Sequence, residues 1–430
     1  MLRSGCLYYP ASDFCKWRIG LMKRVVVTGM SVVTALGDDW PAFKENLLAG
    51  CNAVVNMADW DRFEGLNTKL AAPVLHFQRP SHYSRKMTRS MGRVSLMATR
   101  ATELALQDAG LLDDPCIQDG RCGIAYGSST GSTEPITAFG RMMDTGVMAG
   151  VTATSYIQMM AHTTAVNIGV FFGIKGRVYT TSSACTSASQ GIGYAYEAIK
   201  YGKQKLMVAG GAEELCVTEA AVFDTLYATS TKNATPELTP RPFDQHRDGL
   251  VIGEGAGTLI LEELEHALAR GATIYAEIVG FGSNSDGIHV TQPTDRTMEV
   301  AMRLALEDAN LPASAIGYVN AHGTATDRGD IAESQATARV FGSAQPISSL
   351  KSYLGHTLGA CGAIESWASI MMMREGWFAP TLNLETIDPA CAELDYIRGE
   401  GREMHTEYVM NNNFAFGGIN TSLIFKIWNR

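Results

Sequence analysis

The chain has 430 residues, 46% of them hydrophobic and 43 of them glycine, enough for a large core and, as a prior, two or three domain-sized units. A formal net charge of -9 argues against general nucleic-acid or membrane-surface binding. The nine cysteines include no C-x-x-C pair, which disfavours a zinc ribbon or disulfide framework and suits a reducing cytoplasm, and no apolar run is long enough to cross a bilayer.

Residues 1–21 lack the continuous apolar stretch of a secretory signal and are read as a disordered extension, with a targeting role the weaker reading. Met22 then precedes "KRVVVTG", the first predicted strand. "SRKMTRSMGR" brings Arg85, Lys86, Arg89 and Arg93 into one short helical stretch, a local positive face whose default reading is a solvated helix surface. Strand and helix patterns alternate along most of the chain, which predicts an α/β architecture. Four segments recur in the same order. "RVVVTGMSVVTALG" returns as "IYAEIVGFGSNSDG", and "LALQDAGL" as "LALEDANL". "GIAYGSSTG" returns as "IGYVNAHGTAT", and "LMVAGGAEE" more loosely as "YVMNNNFAFGG". One such echo could be chance. Four in order predict a duplication, with an N-terminal half over 22–270 and a C-terminal half over 271–430 related by a pseudo-two-fold axis.

Between these segments lies "SSACTSASQGIG", in which Cys185 follows the β-prone "GRVYTT" and opens a helical pattern carried by Ile192, Ala195 and Ile199. A helix N-terminus favours a thiolate, so Cys185 is expected to titrate below the free value of about 8.5. A lone cysteine is usually a small buried hydrophobe, and the other eight are read that way. Under the duplication, the Cys185 turn pairs with "GHTLGACGAIES", and symmetry alone places His356 near Cys185. His322, in "NAHGTATDRGDIAE", ends an apolar strand. A cysteine with two histidines can form an acyl-thioester and polarise the carbonyl of a second one. The histidines at 76, 82, 246, 266 and 405 have no such setting and are read as structural.

"SACTSA", "NAHGTATDRGDIAE", "LKSYLGHTLGACGAIES" and "NNFAFGGIN", with "RPFDQHRDGLVIGEGAG" between them, resemble the signature blocks of the β-ketoacyl-acyl carrier protein synthases. The likeness runs from about Lys23 to the C-terminus and is strongest to the elongating, type II branch. It implies a thiolase-like α/β fold, two duplicated halves packed as a layered αβαβα core. It further implies that Cys185 takes the acyl chain from a phosphopantetheine arm. His322 and His356 would hold the malonyl thioester and stabilise its enolate. The N–H groups of Cys185 and Phe416 would form an oxyanion hole, with Phe416 also acting as a gate. Thr324 and Thr326 would bind pantetheine, Thr130 and Phe223 would lie along the acyl pocket, and Lys351 would set the electrostatics. Glu365, Asp330 and Glu333 would support the site, although Lys351 and Glu365 read equally well as an ordinary buried ion pair. Arg85, Lys86, Arg89 and Arg93 would dock an acidic acyl carrier protein.

The resemblance implies no metal or organic cofactor, a cytoplasmic enzyme, and a homodimer or a heterodimer with a chain-length factor. The pathway it implies is fatty acid synthesis, with a type II polyketide or aryl-polyene pathway as the alternative. Three positions depart from the family pattern. Ala415 and Ile419 stand in the gating block where glycine and threonine are usual, and Thr130 stands where a bulkier apolar residue often lines the acyl pocket. The hydroxyl hints at a substrate other than a plain saturated chain. Histidines at both turns disfavour a thiolase, and the intact Cys185 disfavours a non-catalytic chain-length factor.

Overall fold

The computed structural model describes residues 22–429, so the expectation for residues 1–21 lies outside the described residues. The β-branched run "VVVTGMSVVT" forms strand β1 (Val25–Thr34), buried along its whole length. β2 (Cys122–Gly127), β3 (Val178–Thr181), β4 (Leu206–Glu213) and β5 (Gly255–Glu263) follow in the first half. The second half supplies β6 (Ala276–Ser285), β7 (Ile316–Asn320), β8 (Pro346–Ser348), β9 (Asp395–Tyr396), β10 (Tyr408–Ala415) and β11 (Ile419–Ile427). These join one 11-stranded sheet in the order β9-β8-β7-β10-β11-β6-β1-β5-β4-β2-β3. Read outward from the seam, the order is β1-β5-β4-β2-β3 on one side and β6-β11-β10-β7-β8 on the other. The two arms repeat the same topology. They meet where Val25, Val26 and Val27 pair antiparallel with Ile278, Glu277 and Ala276.

The helices that matter here are α1 (Arg93–Asp108), α2 (Thr163–Phe172), α3 (Ser187–Lys200), α4 (Val217–Thr225), α5 (Asp295–Ala309), α6 (Asp327–Phe341) and α7 (Cys361–Glu375). α1 lies on β1 and β5 with α2 beside it, and α5 lies on β6 and β11 with α6 beside it. α3 and α7 form the layer between. α7 packs on β5 of the first half and β10 of the second, and α3 packs on β4 and β2 and reaches β11 and β6. α7 is accordingly buried on nearly every side. The result is the layered αβαβα arrangement. Among the described residues no helix is long and apolar enough to cross a membrane.

The sequence echoes have a physical cause. Asp108, in "LALQDAGL", accepts the Met30 N–H at 2.9 Å, and Asp308, in "LALEDANL", accepts the Phe281 N–H at 3.1 Å. Each carboxylate satisfies an N–H beside an irregularity in its opening strand, between Val27 and Gly29 in β1 and opposite Ile424 and Phe425 in β6. Helix and strand touch there. A Cβ on Gly29 would lie 2.4 Å from the Ala105 carbonyl oxygen, and one on Gly280 2.3 Å from that of Ala305.

Candidate active site

Cys185 sits on a short turn that feeds α3. The turn is made by Ala184 in the left-handed region at φ 51°, a conformation that costs an L-residue about 1–2 kcal/mol. Small hydroxyl side chains tie it down: Thr186 donates to the Ser183 carbonyl at 2.8 Å and Ser187 to that of Ala184 at 2.7 Å. The matching turn before α7 carries Leu358 at φ 45°. His356 is fixed by its own backbone, with its N–H donating to Val251 at 2.7 Å and its carbonyl accepting from Gly253 at 2.9 Å. Its Nε2 lies 2.9 Å from Cys185 Sγ. His322 follows β7, and its ring stands 5.1 Å from that of His356, centroid to centroid, at 85°. The sulfur and one ring nitrogen from each histidine lie within 4.8 Å of one another, and all three side chains are buried.

Proton positions follow from the partners. The Leu358 N–H donates to His356 Nδ1 at 3.3 Å, so a neutral ring carries its proton on Nε2 and presents it to the sulfur. That assignment bears on metal binding. Among the described residues this is the one group with metal-ligand spacing, yet His356 offers a proton there rather than a lone pair. Burial, and after it Lys351, holds the pKa of both histidines well below 6.5, with His356 adding to the effect on His322. Both are therefore neutral N–H donors.

The expectation of a lowered Cys185 pKa is corrected. Burial pushes the thiol up to about 12, against Lys351 and the N–H groups of Phe416 and of Cys185 itself. The same layered packing that aims the helix tip also removes water from the sulfur, and desolvation wins. Lys351, 2% exposed, pairs with Glu365, whose second oxygen accepts Asn413 Nδ2 at 2.7 Å. Burial, which would neutralise Lys351, is outweighed by its acidic neighbours, Glu365 first, while burial raises the Glu365 carboxyl against the pull of Lys351.

The remaining predicted residues fall into two sets. Glu333 accepts the N–H groups of His322 and Gly323, each at 2.7 Å, while Asp330 accepts those of Phe243, Thr324 and Ala325 at 2.7, 3.0 and 3.1 Å. Burial pushes their carboxyls up to about 8 and about 6. Thr324 and Thr326, 2.9 Å apart through their hydroxyls, line a cavity of about 460 Å³ that also holds Cys185, His322, His356, Phe223 and Phe416. Phe416 projects from the β10–β11 hairpin, whose tip needs glycine at 417 and 418 (φ 86° and 72°), and its ring packs 5.1 Å from that of Phe223.

Thr130 is not brought there. It lies outside this cavity because its hydroxyl is held between the carboxyls of Glu213 and Glu219. The basic stretch is also corrected. Its helix covers only Arg85–Thr88, and Arg93 opens α1 instead. Arg85, Lys86 and Arg89 are exposed. Arg93 is bound by Glu254 at 2.9 and 2.8 Å and by the Val74 carbonyl at 2.9 Å, so it is no free docking cation.

Two residues near the centre were given no role in the site by the sequence. Glu213 ends β4 fully buried and accepts Ser128 Oγ at 2.8 Å and the N–H groups of Ser129 and Gly359 at 2.7 and 2.9 Å, so it ties the loop after β2 to the His356 turn. An acid closing an otherwise apolar strand was the available signal. Cys361, read as structural, donates its S–H to the Cys185 carbonyl at 3.2 Å.

Residues 22–267 match the family model described as Beta-ketoacyl synthase, N-terminal domain, and residues 275–385 that of the C-terminal domain. The chain is 37% identical over 412 residues to 3-oxoacyl-[acyl-carrier-protein] synthase 1 of Haemophilus influenzae, covering 95% of this chain and 100% of that protein. It is 38% identical over 416 residues to 3-oxoacyl-[acyl-carrier-protein] synthase 2 of Vibrio cholerae, covering 94% and 99%. Among solved structures, a beta-ketoacyl synthase from Burkholderia phymatum superposes with a TM-score of 0.94 at 67% identity, over 95% of this chain and 100% of that one. A type II polyketide ketosynthase in complex with its acyl-carrier protein (AntDE:AntF) superposes with a TM-score of 0.84 at 31% identity, again over 95% and 100%. With both family halves in order and relatives aligned nearly end to end, the chain belongs to the β-ketoacyl synthase family.

Proposed function

We propose that this chain is an elongating β-ketoacyl-acyl carrier protein synthase that extends an acyl chain by two carbons through decarboxylative condensation. The observation that carries the reading is the convergence of a buried thiol and two neutral imidazoles on one small volume, with the His356 Nε2 proton aimed at the sulfur. In the first step Cys185 sulfur attacks the acyl-carrier thioester. The C–S bond to the carrier breaks, and the carrier thiol leaves with the Cys185 proton. The N–H groups of Cys185 and Phe416, which both lie against the sulfur, are placed to receive the oxyanion.

A malonyl thioester then enters beside Thr324 and Thr326. Its carbonyl oxygen accepts N–H bonds from His322 and His356, the C–C bond to the carboxylate breaks, and carbon dioxide departs with the electrons left as an enolate. The enolate carbon attacks acyl-Cys185, the C–S bond breaks, and the thiolate leaves facing Lys351. A neutral imidazole suits this work because the charge to be stabilised appears only after decarboxylation. Read this way, the reaction draws on no metal or organic cofactor. The acyl carrier protein as donor belongs to the same proposal and is supported by the names of the relatives, and the proposal extends to a dimeric, cytoplasmic enzyme.

Incubation with a panel of acyl-carrier thioesters plus malonyl-carrier protein, followed by mass spectrometry, tests it. The expected result is an acyl adduct on Cys185 and a β-ketoacyl product, both lost in Cys185→Ala. Unchanged turnover in that variant, or no adduct with any donor, refutes the reading. Ala415, Ile419 and the polar contacts of Thr130 favour a second reading, the ketosynthase of a specialised type II pathway paired with a chain-length factor. A preference for functionalised over saturated donors would select it.

A further inference from the structure

The hydroxyl of Thr130 has one proton and two carboxyl neighbours. Its Oγ1 lies 3.0 Å from Glu213 Oε1 and 2.6 Å from Glu219 Oε1. One hydroxyl cannot donate to both, so one of the two acids must itself carry a proton. Glu213 is saturated as a carboxylate by hydroxyls and N–H groups from Ser128, Ser129 and Gly359. Glu219 has Thr130 alone, and its other oxygen, Oε2, is buried with no hydrogen-bond partner. The arrangement that satisfies every atom runs Glu219 Oε1–H to Thr130, then Thr130 O–H to Glu213. Oε2 is then the carbonyl oxygen of a neutral acid, able only to accept. Burial followed by the nearby Glu213 charge raises the Glu219 pKa in the same direction.

Glu219 is also on the right face of α4. It precedes Phe223 by four residues, which puts the two on one side of the helix about 6 Å apart along its axis. Phe223 lines the reaction cavity, and Ala220 and Phe223 share one apolar cluster with Cys185. Thr218 and Ala221 line a separate groove. An acyl chain on Cys185 that leaves the Thr324–Thr326 side to the pantetheine arm and passes Phe223 would run along this α4 face toward Glu219, which lies beyond the residues lining the cavity. An all-methylene chain running along it would leave Oε2 without a partner, whereas a hydroxyl would supply the missing donor.

We propose that Glu219 is a specificity-determining residue: a neutral carboxylic acid, held by Thr130, whose carbonyl oxygen receives a hydroxyl carried by the acyl chain on Cys185. The inference rests on the ketosynthase reading above and names its acyl class as hydroxylated donors. The test uses the full-length protein and matched pairs of medium-chain acyl-carrier thioesters, saturated and monohydroxylated at successive positions, with formation of the Cys185 adduct followed by mass spectrometry. At one hydroxyl position wild type should favour the hydroxylated donor by about tenfold in kcat/KM, the worth of one hydrogen bond. Glu219→Leu should bring that ratio to one or below. Glu219→Gln, which keeps a donor toward Thr130 and a free carbonyl, should retain it. Equal rates for every pair in wild type, a ratio unmoved by Glu219→Leu, or a ratio lost in Glu219→Gln overturns the inference while leaving the ketosynthase reading intact. Absence of any Cys185 adduct sinks both.

Discussion

At Cys185 two influences oppose each other, and Lys351 is the side chain through which they are balanced. Burial raises the thiol to about 12, and the Lys351 cation is the largest influence in the other direction. The same cation helps keep His322 and His356 neutral. The sign of the pH dependence follows. A histidine whose pKa lies well below 6.5 stays an N–H donor as the medium is acidified through the ordinary histidine range. Malonyl decarboxylation should therefore run flat from about pH 7.5 to about pH 6, where an unshifted histidine would already be half protonated or more. A break near 6.5 in the pH–rate profile would show that the imidazoles are not held as described. Removing the cation also strands its partner. Lys351→Met leaves Glu365 buried with only Asn413 and should cost about 3–5 kcal/mol in denaturant unfolding. The double variant Lys351→Met/Glu365→Leu should recover most of that loss, a coupling that a pair of independent surface charges would not produce.

One scale up, the helix–strand unit explains both what could be read from the sequence and what could not. The duplication was legible because each echo is a local unit, a strand with the helix that covers it. The residues that look most alike, Asp108 and Asp308, do the same job in each half. Gly29 and Gly280 are the other half of that device. Gly280→Ala would drive a methyl group into the Ala305 carbonyl oxygen at 2.3 Å, so the helix must retreat from β6. A loss of about 1–3 kcal/mol is expected from the denaturation midpoint, with Gly29→Ala equivalent within error if the repeat is physical. The turn at Cys185 and its partner before α7 were legible for the same reason, since a run of small residues opening a helical pattern is a local signal. What stayed hidden were contacts between distant segments. Arg93 looked like one of four docking cations until the residue just before β5 proved to be its partner Glu254, 161 residues away. Thr130 looked like a pocket residue until Glu213 and Glu219 converged on it from 83 and 89 residues further along. The thiol pKa failed likewise. Spacing reveals a helix tip, but desolvation depends on every layer that closes over it.

For the molecule as a whole, the sheet ends asymmetrically. On the second half β9 follows β8, but on the first half β3 is terminal, and among the described residues its outer edge has no partner. Val178 on that strand is 45% exposed, and α2, which packs against it, shows Val170 at 76% and Val166 at 42%. An open strand edge beside exposed valines is costly to leave in water, since its free N–H and C=O groups invite pairing and its apolar surface invites burial. A second copy approaching by a two-fold axis would satisfy both at once, edge to edge, and continue the sheet across the interface. Light scattering should then give twice the 46.4 kDa chain mass at micromolar concentration. Placing a charge at the centre of the patch, Val170→Asp, should shift the population toward single chains, while the same change at exposed Leu75, in the loop before α1, should not. A wild-type chain that runs as a monomer, and doubles only when a homologue is coexpressed, would mean that this edge is built for a different partner. The two outcomes separate a self-sufficient elongating enzyme from one half of a paired synthase, because the edge strand presents the same bonding groups to either and only the side chains beside it choose.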